Sequence, residues 1–234
     1  MIPLYDDNPT KRSPVVTVGV IAACVAVFLY QLTMGPQAYN YFVHWFGVIP
    51  GMVTGAVSSY IPQYESPIPA SLTLVTSLFL HGGILHLAGN MLFLWIFGNN
   101  IEDALGPVRF IAFYVLAGVA AALAHILQAP ASEVPMIGAS GAVSGVLGAY
   151  LLLYPKAQVG VLVPLGFILT VVRLPAVVVL LIWFGFQFLS NAFNGGAEGG
   201  GVAYMAHIAG FFAGMALSLI FKPTGIPFFG DGRR

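Results

Sequence analysis

The sequence predicts an all-α integral membrane protein, a bundle of six transmembrane helices with both termini on the cytoplasmic side. Three observations predict it. Of 234 residues, 59% are hydrophobic and only 7% charged, and the mean hydropathy of +0.91 leaves too little polar surface for a water-soluble globule. Six apolar runs approach the length of about 20 residues that a helix needs to cross roughly 30 Å of hydrocarbon. Every lysine and arginine then falls on one side of the resulting topology.

The chain is read as one membrane domain, residues 1–234. Residues 1–13 form a short cytoplasmic segment. It carries Asp6, Asp7 and two prolines, unlike a cationic leader with a small-residue cleavage site, so no removable targeting segment is expected. The first span runs from Pro14 to Met34. The connection over about residues 35–72 is apolar but interrupted by Pro50, Pro62, Pro67 and Pro69, and it reads as an interfacial piece. Tyr39, Tyr41 and Trp45 suit the headgroup level, since such rings have an apolar body and a polar tip. The next spans are Thr73 to Phe97, Pro107 to Leu127 and Ile137 to Tyr154. A second interrupted stretch, Val159 to Val172, contains Pro164 and Gly166 and reads as interfacial or re-entrant. The last two spans are Leu174 to Phe193 and Gly201 to Phe221.

Cations set the orientation, because lysine and arginine are retained on the cytoplasmic side. Lys11 and Arg12 precede the first span, Arg109 opens the third, Lys156 and Arg173 flank the fourth connection, and Lys222, Arg233 and Arg234 follow the sixth. The opposite connections hold only Glu65, Glu133 and Glu198. Five or seven spans would break this pattern. With six, the second, fourth and sixth spans all begin on the outer side and run inward.

Zero net charge removes the basic field that nucleic-acid binding requires. A single cysteine, Cys24, lies in the first span, where neither a disulfide nor a metal cluster can form around it. No metal and no cofactor are implied.

Polar and ionisable groups inside spans are costly in lipid and mark function by default. His81, His86 and Asn90 lie in the second span, His125 in the third, Ser140 and Ser144 in the fourth, and His207 in the sixth. His86 and Asn90 are four apart and share a helical face. Ser140, within Gly138-Ala139-Ser140-Gly141, is expected in the first turn of its span, where unpaired backbone N–H groups and the helix dipole would stabilise an oxyanion. His207 is expected about six residues into the last span, on the order of 9 Å below its start. Gly141 with Gly145, and Gly210 with Gly214, are small-xxx-small pairs that would let the two helices approach closely. An imidazole within reach of the Ser140 hydroxyl could take its proton as it attacks a carbonyl and return it to the leaving amine. No carboxylate lies near the outer half of the spans, so the expectation is a Ser-His dyad.

Each residue alone has a plain alternative. Glycine, alanine and serine pack membrane helices, Ser144 can bond back within its own helix, His81 can tie down the first connection, and His44 and His125 are read as structural. The conjunction of Ser140, His207, His86 and Asn90 at compatible depths on three parallel spans is what outweighs these.

At these residues the chain resembles the bacterial type of rhomboid intramembrane serine protease. The similarity runs from Thr76 onward: His81, then His86 with Asn90, Gly-Ala-Ser-Gly at 138–141, and Ala206-His207 ahead of Gly210. The resemblance implies a catalytic dyad of Ser140 and His207, and an oxyanion hole of His86, Asn90 and the Ser140 N–H. It implies substrates that are single-span or otherwise membrane-anchored proteins, cut near the outer face of the bilayer, and a home in the bacterial cytoplasmic membrane. Glu102 matches an acidic, structural position. Two departures stand out. Ala70-Ser71-Leu72-Thr73 replaces a Trp-Arg pair, and Ser144 replaces a tyrosine that stacks on the histidine. The alternatives are an inactive rhomboid-like protein that binds transmembrane helices, which would typically lack the serine or histidine, and a small transporter, which would show paired intramembrane charges.

Overall fold

The computed structural model describes residues 2–57, 66–165, 168–194 and 203–230. In chain order the elements are β1 (Ile2–Asp6), α1 (Val15–Leu32), α2 (Pro36–Phe46), α3 (Pro50–Thr54), α4 (Thr73–Thr76), α5 (Ile84–Phe93), α6 (Asn99–Leu105), α7 (Pro107–Gln128), α8 (Ser140–Leu153), β2 (Gln158–Leu165), β3 (Ile168–Pro175), α9 (Ala176–Asn194) and α10 (Tyr204–Phe221). Five helical stretches are long and apolar enough to cross a membrane: Val15–Leu32, Ile84–Leu105, Pro107–Gln128, Ala176–Phe193 and Tyr204–Phe221. The protein is an integral membrane protein by that measure. Pro62, Glu65, Gly166, Glu198, Gly201, Arg233 and Arg234, which entered the span and orientation reading, lie outside the described residues.

The second span differs from the expectation of Thr73 to Phe97. Helical turns over 70–79 stop at Leu80, and a continuous stretch begins only at Ile84. Two adjacent glycines, Gly82 and Gly83, break the helix, since glycine is the weakest helix former after proline. The stretch then passes through one wide π-turn, Leu94–Gly98, and continues to Leu105. Gly106, at φ +80°, and Pro107 end it and start α7.

The stretch Val159 to Val172, expected to be interfacial or re-entrant, forms two paired strands. Its strands β2 and β3 pair antiparallel from Gln158↔Pro175 to Leu165↔Ile168. The N-terminal segment adds β1 antiparallel to β2, giving a three-stranded sheet in the order β1-β2-β3. Runs of valine favour a pleated, half-buried strand as much as an apolar helix. The same N-terminal segment braces the C-terminal half of α8 and the start of α6: Tyr150 Oη donates to Asp6 Oδ2 at 2.5 Å, and Asn100 Nδ2 donates to the Asn8 carbonyl at 2.7 Å. Burial raises the Asp6 carboxyl from its ordinary 3.8 to about 6, against the lowering effect of the Tyr150 bond.

At the centre stands α8. It is only 14 residues long, yet Gly141 through Tyr150 are all buried. A helix apolar on every face belongs in a core. Glycine lets α7 and α10 close on it. A Cβ on Gly145 would stand 2.5 Å from the Ala117 Cβ, and one on Gly210 or Gly214 would overlap the backbone of Gly141 or Gly145. Both small-residue pairs are therefore helix contacts of the kind expected.

Glu102 holds the start of α1. Its two carboxylate oxygens accept the N–H groups of Val16 at 2.9 Å and Thr17 at 2.7 Å, which have no partners within the helix. Nearby, Lys11, Arg12 and Arg109 line one cavity of about 370 Å³, and Arg109 and Lys222 line its neighbour. Cations from both ends of the chain and from the start of α7 thus gather at one end of the bundle.

Candidate active site

Three helices meet by their first turns. Ser140 is the first residue of α8, His86 the third of α5 and His207 the fourth of α10. His207 is thus shallower in its helix than six residues, because α10 begins at Tyr204. The Ser140 Oγ lies 2.8 Å from His207 Nε2, and the imidazole is 9% exposed. A hydroxyl bonded to a buried imidazole has the geometry that general-base activation of a nucleophile requires.

The turn before Ser140 needs glycine for two reasons. Gly138 has φ +123°, a backbone conformation that other residues rarely adopt. A Cβ there would also stand 2.8 Å from both Cε1 and Nε2 of His86. The missing side chain brings the His86 ring against the Ser140 turn. His86 Nδ1 accepts the Gly82 N–H at 3.3 Å, so a neutral ring carries its proton on Nε2, the atom facing Gly138. Asn90, one turn further along α5, is buried, and its Nδ2 has no hydrogen-bond partner among the described residues. Two donors therefore border the turn that carries the hydroxyl.

A family model described as Rhomboid domain matches residues 70–224. The chain belongs to the rhomboid family. Rhomboid protease GluP of Bacillus subtilis is 37% identical over 147 residues, which are 62% of this chain and 26% of GluP. Rhomboid protease GlpG of Serratia proteamaculans is 26% identical over 210 residues, 89% of this chain and 63% of GlpG. Rhomboid protein 1, mitochondrial, of Saccharomyces cerevisiae is 30% identical over 107 residues, 44% of this chain and 31% of the relative. The rhomboid chain thus spans about a quarter to under two thirds of these relatives' lengths.

In this rhomboid the position four residues after Ser140 is occupied by Ser144, whose hydroxyl donates back to the Ser140 carbonyl at 2.6 Å. The His207 ring is enclosed instead by Trp183 of α9, with ring centroids 6.2 Å apart, and by Tyr204, edge-on at 6.4 Å. Its Nδ1 lies 2.8 Å from Oε1 of Gln187, also on α9 and buried. Sequence reasoning missed Gln187. The signal was there: a lone amide in the apolar run from Val177 to Leu189.

Of the remaining histidines, His81 sets its ring edge-on to that of His86, with centroids 5.2 Å apart, and its ring nitrogens have no hydrogen-bond partner among the described residues. His81 is fully buried, and its backbone is clamped by the Gln31 side chain of α1, which accepts its N–H at 3.1 Å and donates to its carbonyl at 3.2 Å. It ties α1 to the approach of α5, where the sequence suggested the first connection. His44 bonds the Asn40 carbonyl within α2, and His125 sits in the last turn of α7.

Proposed function

We propose that this protein is a serine-type intramembrane endopeptidase that cuts membrane-anchored proteins near the outer face of the bilayer. The observation that carries the reading is the 2.8 Å contact between Ser140 Oγ and His207 Nε2 where three helix N-termini meet. Ser140 and His207 act as the dyad. The hydroxyl oxygen attacks the scissile carbonyl carbon while its proton passes to Nε2. The carbonyl π electrons move onto oxygen, and His86, Asn90 and the Ser140 N–H stabilise the resulting oxyanion. Collapse of the intermediate breaks the C–N bond, and the imidazolium returns the proton to the leaving amine. Water, deprotonated by His207, then hydrolyses the acyl-enzyme. Among the described residues, Glu102 is the one buried carboxylate, and it is bound to α1. The chemistry therefore draws on Ser140 and His207 without an aspartate.

The site's depth follows from the length of α8 if α8 is the fourth of six spans. Fourteen residues rise about 21 Å, against roughly 30 Å of hydrocarbon. With its inner end at the cytoplasmic boundary, Ser140 lies on the order of 9 Å below the outer one. The cations gathered around Arg109 support a cytoplasmic position for both termini. The whole chain then forms a single domain, and a bacterial cytoplasmic membrane is the home this reading assigns.

The test is cleavage of a single-span reporter by the purified protein in detergent or lipid. Wild type is expected to cut, and Ser140→Ala and His207→Ala each to give no product above the uncatalysed background. Cleavage retained by either variant rejects the dyad.

A further inference from the structure

We propose that Gln187 is the positioning residue that orients His207 and selects its tautomer, the place a carboxylate fills in a three-residue relay. The inference rests on the dyad reading and extends it to a third residue.

An amide oxygen only accepts, so Oε1 of Gln187 at 2.8 Å from Nδ1 requires the ring proton on that nitrogen. In a neutral ring, Nε2 then carries the lone pair, and it faces the Ser140 hydroxyl at 2.8 Å. The reverse amide orientation would donate to Nδ1, put the proton on Nε2 and leave the hydroxyl without a base. Chemistry selects between the two. Once Nε2 takes the serine proton, both ring nitrogens are donors, and only the amide oxygen can face Nδ1. The orientation observed is the one that serves the ring in both charge states.

The surroundings fix this arrangement. Gln187 is 8% exposed and His207 9%, so water competes weakly for either. Trp183, four residues before Gln187, shares its helical face and closes one side of the imidazole, while Tyr204 meets it edge-on. Rotation of the ring would break both of its hydrogen bonds at once. Ser144 cannot brace the imidazole, because it is a small side chain already bonded to the Ser140 carbonyl. A buried amide within an apolar stretch of helix is costly in lipid unless it is bonded. Here its bond goes to the base.

The experiment measures kcat, KM and the pH–rate profile of the full chain against a single-span reporter for wild type, Gln187→Met and Gln187→Glu. Met keeps the volume and removes the acceptor. It is expected to lower kcat by about tenfold or more with KM changed less than about twofold, since losing a buried acceptor weighs on the transition state, where the ring is charged. Glu restores the acceptor with a negative charge. It is expected to hold kcat within about threefold of wild type and to move the acidic limb of the profile to higher pH, because a carboxylate beside Nδ1 favours the protonated ring. His86 and Tyr204, the other titratable groups at the site, are common to all variants. Wild-type kcat in Gln187→Met, or a Glu variant whose acidic limb does not move, overturns the proposal. If thermal unfolding shows Met to be misfolded, the acidic limb of the Glu variant decides alone, because a merely structural glutamine gives no reason for it to shift. Ser140→Ala run alongside separates the two readings. Loss of cleavage there with an unaffected Met variant removes only the role of Gln187, and retained cleavage there removes the dyad and this proposal together.

Discussion

Asn90 shows how a residue can be costly at rest and useful in the reaction. Its buried Nδ2 has no partner among the described residues, a desolvation of about 1–3 kcal/mol. An oxyanion forming beside the Ser140 turn would supply the missing acceptor. Asn90→Ala is therefore expected to lower kcat by about 10²–10³, or 2.7–4 kcal/mol, with little change in KM. An unchanged kcat in steady-state cleavage takes this amide out of the oxyanion site. At this scale the sequence was informative wherever chemistry and lipid cost coincide. Ser140, His86, Asn90 and His207 stood out as polar groups in apolar runs, and their side chains do converge. Gln187 is equally a polar group in an apolar run, but only the packing of α9 against α10 reveals its target. The His81 backbone is held by the Gln31 side chain of α1, 50 residues away. No local pattern announces such a contact.

Among the elements, α8 has the most to do. It is buried on every side and shorter than the five helical stretches long enough to cross a membrane, and the glycines of α10 set its distance from the histidine-bearing helix. A Cβ at Gly214 would run into the N-terminal half of α8 at the Gly145 backbone, and backbone cannot swing aside as a flexible side chain can. Gly214→Val is expected to lower stability by about 1–3 kcal/mol and to suppress cleavage, since parting the helices lengthens a 2.8 Å contact. Gly19→Val in α1, where nothing lies within 4 Å of the added carbon, should change neither. Thermal unfolding in detergent and reporter cleavage measure both, and a Gly214→Val protein indistinguishable from wild type would refute the close-packing argument. The glycine pairs were legible because their spacing alone defines a helix face. The start of α5 was misread because hydropathy runs on across Gly82 and Gly83 while the helix does not. The strand pairing within Val159 to Val172 was not legible, because a short apolar run interrupted by Pro164 and Gly166 has no periodicity that separates strand from helix.

For the molecule as a whole, apolar composition and long apolar runs describe a helical membrane protein without reference to any contact. The non-local parts stayed hidden. Strand β1 pairs with β2, which lies most of the chain length away, and nothing in residues 2–6 signals that partner. The bundle brings three helix N-termini together, and the account stands on what meets there: Ser140 Oγ is activated by His207 Nε2. Labelling with a serine-directed fluorophosphonate tests that claim most directly, because the probe reports an activated hydroxyl without any substrate. The account predicts that intact wild-type protein is modified at Ser140, located by peptide mass spectrometry, and that His207→Ala of the same fold is not. Equal labelling of the two proteins, or modification at a serine other than Ser140, would contradict it.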